Sequence, residues 1–373
     1  MTSLRIIAMM INMKKNSKQS KVAHTNQTQF DKLPSLLIPW FYKNARSMPW
    51  RADKDPYHVW LSEIMLQQTR VDTVIDYYLK FLHTFPTVAD LAEADEEKVL
   101  KRWEGLGYYT RARNLHKAAK IIHNDYQDVF PNDLDSLMAL PGIGPYSAGA
   151  IASICFGLPT PAVDGNVLRV VTRITDDHRS IDEPATKKDI AANLAAVYPQ
   201  QQCGDFTQSL MELGAIICLP NGAPLCPVCP ASIICQAFKN DTIPILPVKK
   251  EKPARSIKDI TVFVLFCDDS IAVRKRIENG VLKGLWEFPN WSGFLDEAAL
   301  TSILKKNNLG DCTHIKTIHG KHIFTHIEWN ICCNYISCSK RSPAFQWVDR
   351  ETLETKITLP TAFKKFWHPK FLL

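Results

Sequence analysis

No apolar run in this chain approaches the roughly 18 residues that a membrane-spanning helix needs, so no transmembrane helix is expected. A secretory signal is missing too. The N-terminal LRIIAMMIN is short, carries an Arg near its start and runs into MKKNSKQSK rather than into small residues at a cleavage site. Residues 1–30 read as a flexible leader, with Met13 as an alternative start. A strong charge of either sign is also absent. The formal net charge of +7 permits a nucleic-acid partner without demanding one. Neither internal repeats nor long low-complexity segments occur, and the 46% hydrophobic content of the 373 residues supports sizeable cores in two or three domains. The eleven cysteines do not look like a disulfide framework: seven are scattered, as in proteins of a reducing cytosol, and four are clustered.

Strand-like alternation is scarce in the first two thirds. Val71, Val74, Ile75, Tyr78, Leu79 and Leu82 recur at three- and four-residue steps and predict a helix. Val99, Leu100 and Trp103 predict another, ending near Gly105-Leu106-Gly107, and Leu115, Ala118, Ala119, Ile121 and Ile122 a third. Residues 31–238 are therefore expected to form an all-α domain. The proline- and lysine-rich 239–257 reads as an extended linker. Beyond it, 260–267, 270–276 and 326–338 are rich in β-branched and aromatic residues and predict strands, with a helix over 297–308. Residues 258–373 are expected to form a small α+β domain.

The stretch LPGIGPYSAGAIAS (140–153) has two glycines that can reverse the chain between two short helices. The amides at the second helix's start then face outward and can hold a phosphate without reading a base, which makes Gly142 and Gly144 candidate DNA contacts. The GxGxxxxG spacing is not that of a dinucleotide-binding turn, and no Gly-Lys-Ser/Thr follows for a P-loop. Twenty residues after Gly144, Asp164 stands on a Val-Asp-Gly turn before an apolar helix, where a carboxylate serves as an N-cap or as a functional group. Cys218, Cys226, Cys229 and Cys235 follow C-x7-C-x2-C-x5-C, and four thiolates suit either Zn²⁺ or a [4Fe–4S] cluster.

Hairpin, aspartate and cysteines, in this order, resemble the endonuclease III superfamily of helix–hairpin–helix DNA glycosylases. MPWRADKDPYHVWLSEIMLQQTRV (48–71), WEGLGYYTRARNLHKAA (103–119), VDGNV and MELGA are similar to the MutY family of adenine DNA glycosylases. The resemblance covers most of residues 40–238. It implies a [4Fe–4S] cluster on the four cysteines, stapling a basic loop against DNA, although the first gap holds seven residues where the family usually has six. Bifunctional relatives have a lysine at the position of Tyr146, and a phenol cannot form their Schiff base, so base release by water without lyase activity is implied. Glu63, among apolar Trp60, Leu61, Ile64 and Met65, is expected to be desolvated into a general acid's range. By resemblance Asp164 lies beside the sugar, with Tyr146 and Asn166 hydrogen-bonding around it. Arg46, Trp50, Arg51 and Glu212 line the adenine pocket, while Gln67, Gln68, Thr69, Leu106, Tyr108 and Tyr109 enter the duplex.

VRKRIENGVLKGLWEFPNW (273–291) resembles the family's Nudix-like domain, yet EAALTSILKKNNLG lacks the glutamates that bind Mg²⁺ in Nudix hydrolases. This domain is expected to bind rather than hydrolyse. Phe324, Thr325 and His326 stand where the family recognises 8-oxoguanine with Phe-Ser-His. The whole predicts a monomeric, non-membrane enzyme of the cytoplasm, associated with the nucleoid through its DNA. It would remove adenine opposite 8-oxoguanine or guanine, with repair or replication proteins meeting the linker. An endonuclease III-like activity on oxidised pyrimidines is the alternative, opposed by Tyr146 and the second domain. A non-catalytic mismatch binder is opposed by Glu63 and Asp164, and a nucleotide pyrophosphatase by the missing glutamates.

Overall fold

The computed structural model describes residues 29–251 and 253–367, so the leader expected over residues 1–30 lies almost wholly outside the described residues. Two compact units are present, one made by residues up to Ile75 with Asn124–Glu251, the other by Asp76–His123 with the chain from Lys252 onward. Residues 76–123, helical like their neighbours, thus pack with the C-terminal sheet.

The first unit is all helix, as the periodicity predicts. Its core joins Leu33 and Leu37 to Val167, Val170, Phe206 and Leu210. Pro56–Leu66 is buried on nearly every side, which explains why it has no polar face. Leu134–Ala139 and Pro145–Phe156 are the expected short helix pair. Between them Gly142 takes φ +81°, a left-handed value that glycine adopts without a steric penalty. Asp164 caps Gly165–Thr175 by accepting from the Val167 N–H at 2.7 Å.

The segment expected as an extended linker is pinned to this unit over its first part. Leu246 is buried in the core, with Ile243 and Val248 packed against it. The Ile181 N–H donates to the Val248 carbonyl, and the Lys250 N–H to Asp182. The apolar residues spaced through its prolines and lysines account for this, since they give the segment a face to bury.

In the second unit Val71–Thr84 contributes its later turns, and Glu96–Arg102 and Thr110–Tyr126 match the predicted periodic stretches. The C-terminal part is a mixed sheet in the order β3-β2-β1-β6-β5: β1 Ser256–Cys267, β2 Ser270–Lys275, β3 Trp286–Glu287, β5 Cys312–Ile323 and β6 Ile327–Cys338. β4 Asn290–Ser292 pairs with β1 and β7 Gln346–Asp349 with β2. Among the described strands only β1 and β6 run parallel. β1 is covered on both faces, hence its unbroken apolar run VFVLFC. Trp329, Tyr335 and Phe363 lie in the cluster on one face; Phe263, Leu265 and Ile336, with the helix Glu297–Lys306, make the other. β5 was not foreseen from sequence. It is an edge strand, half exposed, and its histidines, lysines and Gly320 mask the alternation.

Candidate active site

Glu63 lies on Pro56–Leu66 and is 6% exposed. The Tyr146 hydroxyl, on the first turn after the hairpin, donates to its Oε2. Burial pushes the Glu63 carboxyl up to about 7; Asp164 raises it further, against the pull of Tyr146 and Arg51. Burial likewise raises Asp164, opposed by the Val167 N–H and by the Asn166 amide, which donates to its Oδ2 at 2.8 Å. Glu63, Tyr146, Asp164 and Asn166 are therefore brought together, although 101 positions separate the two carboxylates in sequence. Asn166 is closely packed. A Cβ at Gly214, in MELGA, would stand 2.7 Å from the Asn166 Cβ.

Arg51, which pulls on Glu63, also binds a second buried glutamate, Glu212. Arg46 embraces it with Nε at 2.7 Å and Nη2 at 3.0 Å, and Arg51 Nη2 adds a bond at 2.9 Å. Burial would raise this carboxyl, but the bonds from the two arginines outweigh it and hold Glu212 down at about 2. Burial thus raises one glutamate that Arg51 reaches, while the arginines hold the other down. Trp50 is buried at 8% exposure.

The residues expected to touch DNA divide by exposure. Gly142, Gly144 and Gln68 are exposed, and Gln67 Nε2 points to Ser147 Oγ at 3.5 Å. Gly144 caps Pro145–Phe156 with no side chain, and the first intrahelical bond is that of Ala148, so the Tyr146 and Ser147 amides face outward from the turn. In the second unit Leu106 and Tyr109 are buried at 7% and 6%, while Tyr108 is 48% exposed. Only Tyr108 among these three presents its ring, because Gly105 and Gly107 at φ +105° and +73° turn the chain around it. Phe324, Thr325 and His326 form the tip of the β5–β6 hairpin. Phe324 packs on Trp329 at 4.8 Å, and Thr325 and His326 are exposed. The hydroxyls of Tyr108 and Thr325 meet at 2.9 Å.

Among the described residues, no group of three His, Cys, Asp or Glu side chains is drawn together as a single-ion site. Cys218, Cys226, Cys229 and Cys235 instead line one shared, partly open cavity with Val170, Leu213 and Ile217. Four sulfurs around apolar-walled space fit a multi-atom cluster. Burial holds the Cys229 thiol up at about 12 and raises Cys226 and Cys235, so ligation would displace their protons. Sequence reasoning missed the two residues that brace this loop. Arg169 donates to the carbonyls of Cys218 and Gly214 and to Asn166 Oδ1; Arg173 donates to Cys218 Sγ at 3.3 Å and to the Leu219 carbonyl. Their signal was legible as two arginines four apart on the buried helix VLRVVTR.

Residues 61–199 match the HhH-GPD superfamily base excision DNA repair protein family, and residues 261–369 match the NUDIX domain. An adenine DNA glycosylase of Buchnera aphidicola subsp. Baizongia pistaciae is 36% identical over 292 residues, 78% of this chain and 80% of that one. The human adenine DNA glycosylase is 41% identical over 399 residues, 88% of this chain and 72% of its own length. A thermostable thymine-DNA glycosylase of known structure aligns with a TM-score of 0.52 at 27% identity, over 57% of this chain and 98% of that one. No helix among the described residues is long and apolar enough to cross a membrane.

Proposed function

The chain belongs to the adenine DNA glycosylases of the helix–hairpin–helix superfamily, and on that premise we propose that it hydrolyses the N-glycosidic bond of adenine mispaired with 8-oxoguanine or guanine in duplex DNA. One observation carries the chemistry: a buried glutamate that holds its proton near neutral pH, facing a second carboxylate in the same pocket.

The target adenine must leave the stack to reach this pocket. Glu63 gives its proton to a ring nitrogen of adenine, which makes the base a competent leaving group. The bond from C1′ then breaks and its electron pair stays with adenine. Positive charge develops on the sugar, where Asp164, oriented by the Val167 N–H and Asn166, stabilises it. Water adds to C1′ and yields its proton to the Glu63 carboxylate, restoring the acid. Two carboxylates with separate roles also serve glycoside hydrolysis. Tyr146 keeps Glu63 oriented and, having no amine, opens no lyase route. Arg46, Trp50, Arg51 and Glu212 hold the extruded base.

Gln67, Gln68, Thr69 and the amides beside Gly142 and Gly144 contact DNA in one unit and Tyr108 in the other, where the buried Leu106 and Tyr109 hold the turn that presents it. Tyr108, Phe324, Thr325 and His326 read the base opposite adenine, and the missing Mg²⁺-binding glutamates suit a domain that recognises without hydrolysing. Cys218, Cys226, Cys229 and Cys235 hold a [4Fe–4S] cluster, which supplies structural bracing of the 218–235 loop when bound. The protein acts as a monomer in the cytoplasm at the nucleoid, with repair or replication proteins meeting residues 239–257.

Single-turnover adenine release from duplexes with adenine opposite 8-oxoguanine, guanine, cytosine or thymine tests the reading. Release confined to the first two is expected. Equal rates on all four would overturn the assigned mispair, and no release at all from cluster-loaded protein would overturn the activity.

A further inference from the structure

The Tyr108–Thr325 pair joins residues 217 positions apart, and both of its arms lead back to one buried carboxylate. Glu104 immediately precedes the Gly105-Leu106-Gly107 turn, and its side chain is only 7% exposed. Its Oε2 accepts from Lys364 Nζ at 2.6 Å and from Lys101 Nζ at 3.1 Å, and its Oε1 from the Leu359 N–H at 2.8 Å. Lys101 also donates to the Ile357 carbonyl at 2.7 Å, and the Tyr77 hydroxyl donates to the Glu104 carbonyl. One arm therefore runs from Glu104 through the turn to Tyr108, whose ring lies beside the Arg111 guanidinium. The other runs through Lys364 and the adjacent Phe363, which packs on Trp329, which packs on Phe324, next to Thr325. Nothing in the chemistry of base release calls for Glu104.

We propose that Glu104 is a positioning residue for opposite-base discrimination: with Lys101, Lys364 and the Leu359 amide, its carboxylate fixes the height of Tyr108 against Thr325. The proposal rests on the reading that these two residues meet the base opposite adenine. Two weak aligners, a turn with two left-handed glycines and an exposed hairpin tip, acquire a shared reference point in a buried ion cluster. Glu104→Gln keeps the shape and an acceptor for Leu359 but removes the charge that the Lys101 and Lys364 ammonium groups share. Lys364 is then no longer held, and the two hydroxyls lose their register.

The test is the ratio of single-turnover adenine release opposite 8-oxoguanine to that opposite guanine, in the full-length, cluster-loaded protein. Glu104→Gln is expected to lower this ratio about tenfold, as the loss of a charge-assisted hydrogen bond would, with release opposite guanine unchanged. Lys364→Met, at a side chain 55% exposed and so no threat to folding, lowers it in the same direction by about threefold. In a Thr325→Ala background Glu104→Gln costs no further preference, because both act on one contact. A wild-type ratio in both Glu104→Gln and Lys364→Met overturns the proposal. So does an equal loss on both duplexes, which marks a merely structural residue, and Lys364→Met decides if Glu104→Gln fails to fold. Thr325→Ala alone separates the two levels. If it keeps the wild-type ratio, the assignment of Thr325 fails and the Tyr108–Thr325 register with it; a lowered Thr325→Ala ratio beside a wild-type Glu104→Gln ratio overturns the role of Glu104 alone.

Discussion

The site around Glu63 and the hairpin tip around Thr325 are built in opposite ways. In the pocket, charge is buried and each carboxyl has a different fate: Glu212 is pinned as an anion by two arginines, whereas Glu63 is left to hold a proton. At the tip, neutral hydroxyls stand exposed on a turn and a hairpin. A low-dielectric surrounding makes each partner in the pocket costly to remove, whereas an exposed hydroxyl pair is exchangeable with water. In the function proposed above, chemistry falls to the buried site and selection to the exposed one.

The comparison predicts a descending series of effects. Glu63→Gln should lower adenine release by about a thousandfold or more, the scale of a lost general acid, while binding to a mismatched duplex persists. Retained release in single-turnover assays would remove Glu63 from the mechanism. Next comes Glu212→Ala, which removes the buried anion that Arg46 and Arg51 share. It should cost about 3 kcal/mol in denaturant unfolding, and a cost near zero would show that the pocket tolerates free charge.

The pH dependence sharpens the contrast within the pocket itself. Glu63 has a folded pKa of about 7, raised above its unfolded value by burial, so the native state binds the extra proton. Stability contributed by that proton is fully present below the unfolded pKa and is lost as pH rises toward 7, by about 3 kcal/mol in all. Wild-type protein should therefore be less stable than Glu63→Gln above pH 7 and no less stable at pH 4.5. Release should fall along an alkaline limb near the same pH, as the acid loses its proton. Parallel stability curves for the two proteins would refute the raised pKa. Smallest of all is Thr325→Ser, which keeps the hydroxyl and removes one methyl group. It should change the preference for 8-oxoguanine over guanine by less than about twofold, and a larger loss would assign the methyl group a contact of its own.

Much of the fold was legible because its signals are local. Apolar residues three and four apart gave Val71–Thr84, Glu96–Arg102 and Thr110–Tyr126, and the β-branched runs gave β1, β2 and β6. The Glu63 environment was readable from its apolar neighbours on one short helix. The edge strand β5 escaped because a half-exposed strand needs no clean alternation, and the packing of residues 243–248 escaped because prolines and lysines outweigh a few apolar residues in any window. Leu106 and Tyr109 match a DNA-facing segment by sequence yet are buried, since two glycines set which side chain of the turn points outward.

The order of the chain by itself determined the helix–hairpin–helix, the cysteine spacing, the missing lysine at Tyr146 and the missing glutamates of the second domain. All of these depend on residue type within a few positions. Only the tertiary structure decided that Glu212 is held down while Glu63 is raised, that Arg169 braces both Asn166 and the cysteine loop, and that Tyr108 meets Thr325. A proton's affinity is set by the surrounding charges and the water excluded from them. Those neighbours arrive from distant segments, and no local spacing of residues encodes them.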